Sequence, residues 1–233
     1  MSSFYFKHGG ATHVGLIRGN NEDALLMHRK NQLFVVADGV GGNTYGEVAS
    51  ATAVNAVGIH FKPEQPWSIE NSFKQAHKTV QELRKQRSSN MATTLTAFHV
   101  GKTGTVQIAH CGDSKLFLLR QGVLKQLTKD HDFYDANLKR RVLYRAVGSD
   151  YFNFDNFGIK AKHGDVFLLC TDGLNEAKPQ DVQATLIKCA RGRITPHRTA
   201  RQLIKLANAA GGYDNTTAVV VKVLQRKKKS RGA

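Results

Sequence analysis

The chain has 233 residues, 41% of them hydrophobic and 22% charged, which is enough apolar material for one domain with a sizeable core. No apolar run approaches the ~18 residues of a membrane-spanning helix, and the first residues lack the apolar segment of a signal peptide, so a cytoplasmic protein without a membrane span is expected. The net charge of +16, from 34 Lys and Arg against 18 Asp and Glu, favours anionic partners, such as nucleic acid, acidic membrane or phosphorylated protein, without choosing among them.

Apolar runs rich in β-branched residues predict strands. These runs lie at 12–18, 24–28, 32–37, 93–101, 105–111, 115–122, 165–170 and 217–224. Helical periodicity predicts helices at 47–60, 71–87, 179–190 and 199–209. Short glycine-containing turns between neighbouring strands indicate antiparallel meanders. Blocks of strands with helices inserted in pairs predict an α+β fold of packed antiparallel sheets with helices outside, within a domain over residues 1–224.

Two segments depart from this pattern. Residues 128–158 lack strand periodicity and are rich in aromatic and charged side chains, which predicts an excursion from the sheets containing one short helix. Loops of this length usually serve binding. Its basic part, "NLKRRVLYR", could steer acidic or phosphorylated substrates towards a site. The basic tail at 225–233 is expected to be solvated and disordered.

The cysteines and histidines show no catalytic or metal-binding spacing. Cys111, Cys170 and Cys189 are far apart, without CxxC pairs or Cys/His clusters, so reduced thiols packed as small hydrophobic residues are expected. No cysteine has an arginine six residues later, the spacing that a cysteine-dependent phosphatase loop needs. His110 and His131 lie in motif-bearing segments, yet lack the paired spacing of metal ligands.

Acidic residues recur where predicted strands end. The run "LFVVADGVGG" stops at Asp38, and "VFLLCTDGL" stops at Asp172. Asp113 lies between two strands, Asp214 comes shortly before the last strand, and Glu22 lies in "NNED" between two early strands. An Asp-Gly pair after apolar residues favours a hairpin, but the segment after Asp38 has a helical pattern instead.

Each of these carboxylates alone is more often a turn or cap residue than a ligand. Strand ends from distant parts of a sandwich can converge at one rim, however, where several carboxylates would repel one another. A cation resolves that repulsion, and carboxylate and carbonyl oxygens are hard ligands suited to Mg²⁺ or Mn²⁺. Glycine after Asp38 lets a backbone carbonyl approach such an ion closely. The sequence therefore predicts that the strand ending at Asp38 ends on a metal site.

Seven motifs in order carry a family resemblance. They are "RGNNED", "VVADGVGG", "ATTL", "HCGDSK", "LTKDHD", "LLCTDGL" and "GGYDNTTAVVV". From about Gly15 to Val221 the chain resembles the metal-dependent protein phosphatases of type 2C, the PPM family, in its compact bacterial form. The resemblance implies a β-sandwich of two antiparallel sheets flanked by helix pairs, in α-β-β-α layers, with a flap beside the site. It also implies hydrolysis of phosphoserine and phosphothreonine by a water or hydroxide that bridges two Mn²⁺ or Mg²⁺ ions.

The resemblance assigns the metal ligands by position. Asp38 resembles the aspartate that bridges two ions, and Gly39 contributes its carbonyl. Asp172 and Asp214 resemble the ligands that complete the first metal. Glu22 resembles the acidic residue that holds the second metal through water.

Three further positions bear on the chemistry. Asp113 resembles the ligand of a third, weaker ion, shared with Asp172. Arg18 resembles the arginine that grips the substrate phosphate, and its planar fork suits that role. Val40 stands where some members carry a histidine proposed as general acid, so metal-bound water is expected to protonate the leaving group. The flap is shorter than usual, which leaves substrate choice open.

Two other functions compete with this interpretation. One is a phosphoprotein-binding regulator with the same fold and weak or no activity. The other is a nucleic-acid-binding domain, suggested by the net charge, but the basic residues form no stacking module or helix-turn-helix pattern. The expected partners are therefore phosphorylated proteins, substrates of a Ser/Thr kinase, and the chain is expected to act as a monomer.

Overall fold

The computed structural model describes residues 4–40, 45–65 and 68–225. The predicted basic tail lies outside the described residues apart from Gln225, so its disorder stays a prediction. Within the described ranges, no helix is both long enough and apolar enough to cross a membrane.

Two five-stranded antiparallel sheets form the centre of the molecule, as predicted. The first sheet contains, in spatial order, β1 (Phe4–His13), β12 (Thr216–Gln225), β11 (Val166–Cys170), β6 (Lys115–Arg120) and β7 (Val123–Gln126). The second contains β10 (Asp155–Lys160), β5 (Thr105–Cys111), β4 (Leu95–Val100), β3 (Leu33–Asp38) and β2 (Asp23–His28). The turns at Gly101–Gly104 and Gln121–Gly122 join antiparallel neighbours, which confirms the predicted meanders.

A helix pair covers the outer face of each sheet. The pair α1 (Gly46–His60) and α2 (Ser68–Gln86) packs on the second sheet, and the pair α3 (Pro179–Ala190) and α4 (Pro196–Ala209) packs on the first. The start of α4 is set locally, because the Thr195 side chain accepts a hydrogen bond from the Arg198 N–H and Pro196 occupies the first turn. The layers are therefore α-β-β-α.

The packing of β3 explains why its apolar residues do not alternate with polar ones. Leu33 and Val35 pack against the α1–α2 layer, whereas Phe34 and Val36 pack between the sheets, so both faces of the strand are buried. At the centre of the sandwich the ring of Phe98 lies 5.1 Å from Phe34 and 5.2 Å from Phe167. This three-ring contact packs the two sheets against each other.

The predicted strand at 12–18 is wrong beyond residue 13. β1 ends at His13, and residues 14–22 form a loop in which Leu16 and Ile17 are 62% and 67% exposed. The apolar residues of this surface loop therefore have the composition of a strand without forming one. The prediction also lacked β7 and β10, because these edge strands alternate between half-buried and exposed residues and carry few apolar side chains.

The single helix predicted in the 128–158 segment is also wrong. That region contains a two-stranded hairpin, β8 (Asp132–Asp135) and β9 (Arg140–Leu143), and its last residues already belong to β10. A bidentate ion pair between Arg141 and Asp132 crosses the hairpin. We call residues 128–154 the flap.

Candidate active site

A cavity of about 340 Å³ opens at the rim where both sheets end. It is lined by strand ends and turns that lie far apart in the sequence. All seven residues predicted at the site contribute to its wall: Arg18, Glu22, Asp38, Gly39, Asp113, Asp172 and Asp214.

Two threonines fix the position of Asp38 at the end of β3. The Asp38 N–H donates to the Thr94 hydroxyl at 2.9 Å, and the Thr94 N–H donates to the Asp38 carbonyl at 2.8 Å. The Thr93 hydroxyl donates to the same carbonyl at 2.8 Å. Thr94 also bonds the hydroxyl of Ser114 at 2.7 Å, which ties Asp38 to the turn that carries Asp113. The sequence contained these threonines in "ATTL", but no pattern assigned them this role.

The two Asp-Gly pairs need glycine because another backbone passes beside each. A Cβ at Gly39 would lie 2.4 Å from the carbonyl oxygen of Gly46, where α1 begins. A Cβ at Gly173 would lie 2.0 Å from the carbonyl oxygen of Asn215. Neither pair forms a hairpin turn, so close backbone packing at the site explains both glycines.

Asn215 holds the loop between β1 and β2 against the site. Its side-chain oxygen accepts from the Glu22 N–H at 2.7 Å, and its amide nitrogen donates to the carbonyls of Val14 and Asn20 at 2.8 and 2.9 Å. Burial, and then the nearby carboxylate of Glu47, raises the pKa of Glu22. Sequence reasoning missed Asn215, whose only signal was its place beside Asp214.

The carboxyl groups on the cavity floor retain protons more strongly than ordinary ones. Burial raises the pKa of Asp38 well above its usual range, and the charges of Asp23, Asp172 and Asp113 raise it further. Burial followed by the charge of Asp172 raises the pKa of Asp113 to about 7. Burial and the charge of Asp214 also raise the pKa of Asp172, which accepts a hydrogen bond from the Asp38 carboxyl group. Mutual repulsion of this kind is relieved by protons or by metal cations.

Asp23 is a sixth acidic residue in this region, and the sequence assigned it no role. It lies opposite Asp38 across the β2–β3 pair, and its Oδ2 accepts from the hydroxyls of Thr171 and Thr217 at 2.8 and 2.6 Å. Its Oδ1 is buried without a hydrogen-bond partner among the described residues. Burial is the largest cause that raises the pKa of Asp23 to about 7.

The donor set fits divalent cations. Asp172 Oδ1 is a second buried oxygen without a partner in the described ranges, and the surrounding donors are carboxylate and carbonyl oxygens, which suit Mg²⁺ and Mn²⁺. As the side chains stand, no three His, Cys, Asp or Glu residues among those described already surround one ion position. The carboxylates instead engage nearer groups: Asp38 bonds Asp172, and Asp214 pairs with Arg18 at 2.8 Å.

Four arginines besides Arg18 line the cavity among the described residues. Arg140, Arg141 and Arg145 come from the flap, and Arg84 comes from α2. Arg84 was not predicted, because its helical position gave no sign that α2 ends beside the site. Lys139, in the same basic stretch of the flap, is not among the described residues that line the cavity.

The histidines near the site are bound to backbone. His131 Nδ1 accepts from the Gly112 N–H at 3.2 Å, and His110 Nε2 lies 3.0 Å from the Lys129 carbonyl, which fixes it as the donor. Burial lowers the pKa of His110 to about 4, so it is neutral at physiological pH.

The cysteines are unsuited to nucleophilic catalysis. All three are buried and unpaired, as expected for reduced thiols packed as small hydrophobic residues. Burial raises the pKa of Cys111 and of Cys170 to about 12, so neither forms a thiolate at neutral pH.

Comparisons with known proteins identify the family of this chain. The family profile described as Protein phosphatase 2C matches residues 17–219. The serine/threonine phosphatase stp of Listeria monocytogenes is 32% identical over 238 residues, which cover 90% of this chain and 93% of that protein. The structure of PppA, described as a key regulatory component of T6SS in Pseudomonas aeruginosa, is 30% identical with a TM-score of 0.84, and the match covers 96% of this chain and 100% of that one.

A further solved structure was determined with metal. It is the catalytic domain of the serine/threonine protein phosphatase PstP in complex with two manganese ions, and PstP is a Mycobacterium tuberculosis protein. The two chains are 28% identical with a TM-score of 0.82, and the match covers 95% of this chain and 99% of that one.

Proposed function

This chain belongs to the protein phosphatase 2C family of serine/threonine phosphatases, and we propose that it hydrolyses phosphoserine and phosphothreonine in proteins with two bound Mn²⁺ or Mg²⁺ ions. The observation that carries the proposal is the shared cavity: seven residues chosen from the sequence, between positions 18 and 214, line one wall. Its substrates would be the phosphorylated products of a Ser/Thr kinase. We further propose that it acts as a monomer in the cytoplasm.

The floor of the cavity would hold the ions through oxygen donors alone. Asp38 is central to this arrangement, because its carboxyl group interacts with those of both Asp172 and Asp113. The donors for two ions, and for a weaker third at Asp113, are Glu22, Asp38, the Gly39 carbonyl, Asp113, Asp172 and Asp214. Such ions, when bound, would lower the pKa of a water molecule, so that hydroxide would be available near neutral pH to attack phosphorus directly without a phosphoenzyme.

Arg18 is suited to bind the substrate phosphate. Its Nη2 donates to Asp214 Oδ2 at 2.8 Å and its Nε donates to the Tyr213 carbonyl at 3.4 Å, so the guanidinium plane is oriented from one side. Its Nη1 has no partner among the described residues, and the side chain is 46% exposed. A fork held in this way can donate to phosphate oxygens while its charge offsets the carboxylates.

The side chain at position 40 cannot donate a proton to the leaving oxygen. Val40 lines the cavity, and the described lining contains no histidine. We infer that water supplies this proton. The Arg18 charge would meanwhile stabilise the phosphate as the bond to the leaving oxygen breaks.

The test is hydrolysis of p-nitrophenyl phosphate and of a phosphothreonine peptide by the purified chain, with Mn²⁺ and with EDTA. We expect turnover with Mn²⁺ and none with EDTA. Binding of the phosphopeptide without turnover in Mn²⁺ and in Mg²⁺ would instead establish the regulator without activity. Full turnover in EDTA would contradict the metal-dependent reaction.

A further inference from the structure

We propose that Arg84 and Arg140 form a second anion-binding subsite in the active-site cavity, which recognises a carboxylate or second phosphate near the phosphorylated residue of the substrate. The subsite rests on the proposed function, since it selects among phosphoprotein segments. It differs from the phosphate contact of Arg18, because its arginines come from α2 and the flap, whereas Arg18 lies in the loop between β1 and β2.

Of the five arginines that line the described cavity, three make ion pairs at 3.0 Å or less, whereas Arg84 has a longer one and Arg140 has none among the described residues. Arg141 donates two hydrogen bonds to Asp132 within the hairpin. Arg145 Nη1 donates to Asp155 Oδ1 at 3.0 Å and lies 3.1 Å from His131 Nε2. Arg18 pairs with Asp214 on the floor. Recognition of further anions therefore falls to the remaining two arginines.

Arg84 is anchored but keeps donors to spare. Its Nη1 donates to the Gly148 carbonyl at 3.0 Å and to Asp150 Oδ1 at 3.3 Å. The Asp150 side chain is 76% exposed, so solvent weakens this ion pair. Nε and Nη2 of Arg84 have no partner within the described ranges. A guanidinium held at one corner can present its other N–H groups to an anion without losing its orientation.

Arg140 approaches the cavity from the flap. It is the first residue of β9, it is exposed, and it makes no ion pair with any residue that the structure describes. Its neighbour Lys139 adopts a left-handed backbone (φ 50°) and is not among the described residues that line the cavity. Arg140 therefore differs from Lys139 in its position at the cavity and not in its charge.

The size and charge of the cavity favour a ligand with two anionic groups. A volume of about 340 Å³ is within the range of small-molecule sites and exceeds what one phosphate group fills. Five carboxylic residues from the sandwich line the floor, whereas four of the five lining arginines come from α2 and the flap. A flanking anion would be repelled by the floor and attracted by these arginines, whose guanidinium forks match carboxylate and phosphate oxygens.

The test compares phosphoserine peptides that differ only in one flanking position: aspartate, a second phosphoserine or glutamine. For wild type with Mn²⁺ at 0.1 M salt, we expect kcat/KM about tenfold higher with an anionic flank, equivalent to ~1.4 kcal/mol. In the double variant Arg84→Gln/Arg140→Gln this ratio should fall to about one. Glutamine keeps a polar side chain without the positive charge, and the p-nitrophenyl phosphate rate of each preparation serves for normalisation.

Matched controls carry the same charge change one residue away. Lys85→Gln and Lys139→Gln replace cations outside the described cavity lining and should leave the ratio at its wild-type value. A preference for aspartate, for the second phosphate, or for both supports the subsite and identifies its ligand. Equal rates for all flanks in an active wild type, or equal loss in the controls, would overturn the subsite. No turnover of any phosphopeptide would instead be a failure of the proposed function.

Discussion

Asp23→Asn should stabilise the metal-free protein at alkaline pH. Burial and neighbouring charges hold the pKa of Asp23 at about 7 instead of 3.8. At 1.36 kcal/mol per pKa unit, ionisation of this side chain above pH 7 costs the native state ~4 kcal/mol. Asparagine removes that cost and can still accept from Thr171 and Thr217, but its NH₂ group would replace an unpartnered oxygen at a cost of ~1–3 kcal/mol.

The expected net gain is ~2 kcal/mol at pH 8.5, or a rise in Tm of ~4–8 °C for a domain of this size. Between pH 3.8 and 7 the native state keeps the proton that the unfolded chain has lost, so native stability falls as pH rises through this window. The gain from asparagine should therefore vanish at pH 5. Thermal unfolding in EDTA at pH 5 and pH 8.5 measures the change in Tm. Glu64→Gln, at an exposed position, is the control for removal of one acidic charge. An equal shift of Tm at pH 5 and 8.5 would refute the raised pKa.

Three further predictions concern catalysis. Asp38→Ala should abolish turnover and the Mn²⁺ binding measured by calorimetry, because this one carboxylate would serve both ions. The variant should stay folded by circular dichroism, because loss of the carboxylate relieves repulsion in the empty site. Wild-type turnover in this variant would remove the binuclear site from consideration. Arg18→Ala should raise KM about tenfold to hundredfold (~1.5–3 kcal/mol) and leave Mn²⁺ binding unchanged. Arg18→Lys should recover only part of the lost affinity, since an ammonium group lacks the planar fork of a guanidinium. Unchanged kinetics in Arg18→Ala would place the phosphate elsewhere. Thiol alkylation of the native enzyme should be slow and leave activity intact, because burial raises the pKa of Cys111 and Cys170 to about 12; rapid modification that tracks loss of activity would contradict this.

The sequence predicted best those elements that are buried on both faces. β3, β4 and β11 are dense in apolar and β-branched residues because helices cover one face and the opposite sheet covers the other. The site residues were identifiable for a related reason. A carboxylate directly after a fully buried strand conflicts with burial, and several such conflicts in one chain indicate a shared cation.

The flap and the loop before β2 were less predictable because solvent supports them on one side. Leu16 and Ile17 have the composition of a strand yet remain exposed, and the hairpin at 132–143 is held by an ion pair rather than by apolar alternation. Arg84 could not be assigned from the sequence at all. Its role depends on where α2 ends relative to the rim, which the packing of Phe73, Ala76 and Val80 on the sheet determines.

The distribution of charge connects the cavity to the rest of the surface. Among the described residues, five acidic residues and five arginines line the cavity, so their formal charges cancel, and the other 29 basic and 13 acidic residues of the chain carry the net charge of +16. The basic exterior attracts any anion and loses its influence as salt rises. Inside, the acidic floor opposes a phosphate until cations neutralise it, while the arginines favour negative charge beside it. Under the proposed subsite, attraction and selection would have separate origins: the outer charge would concentrate phosphoproteins near the rim, and the cavity would determine which of their segments fit.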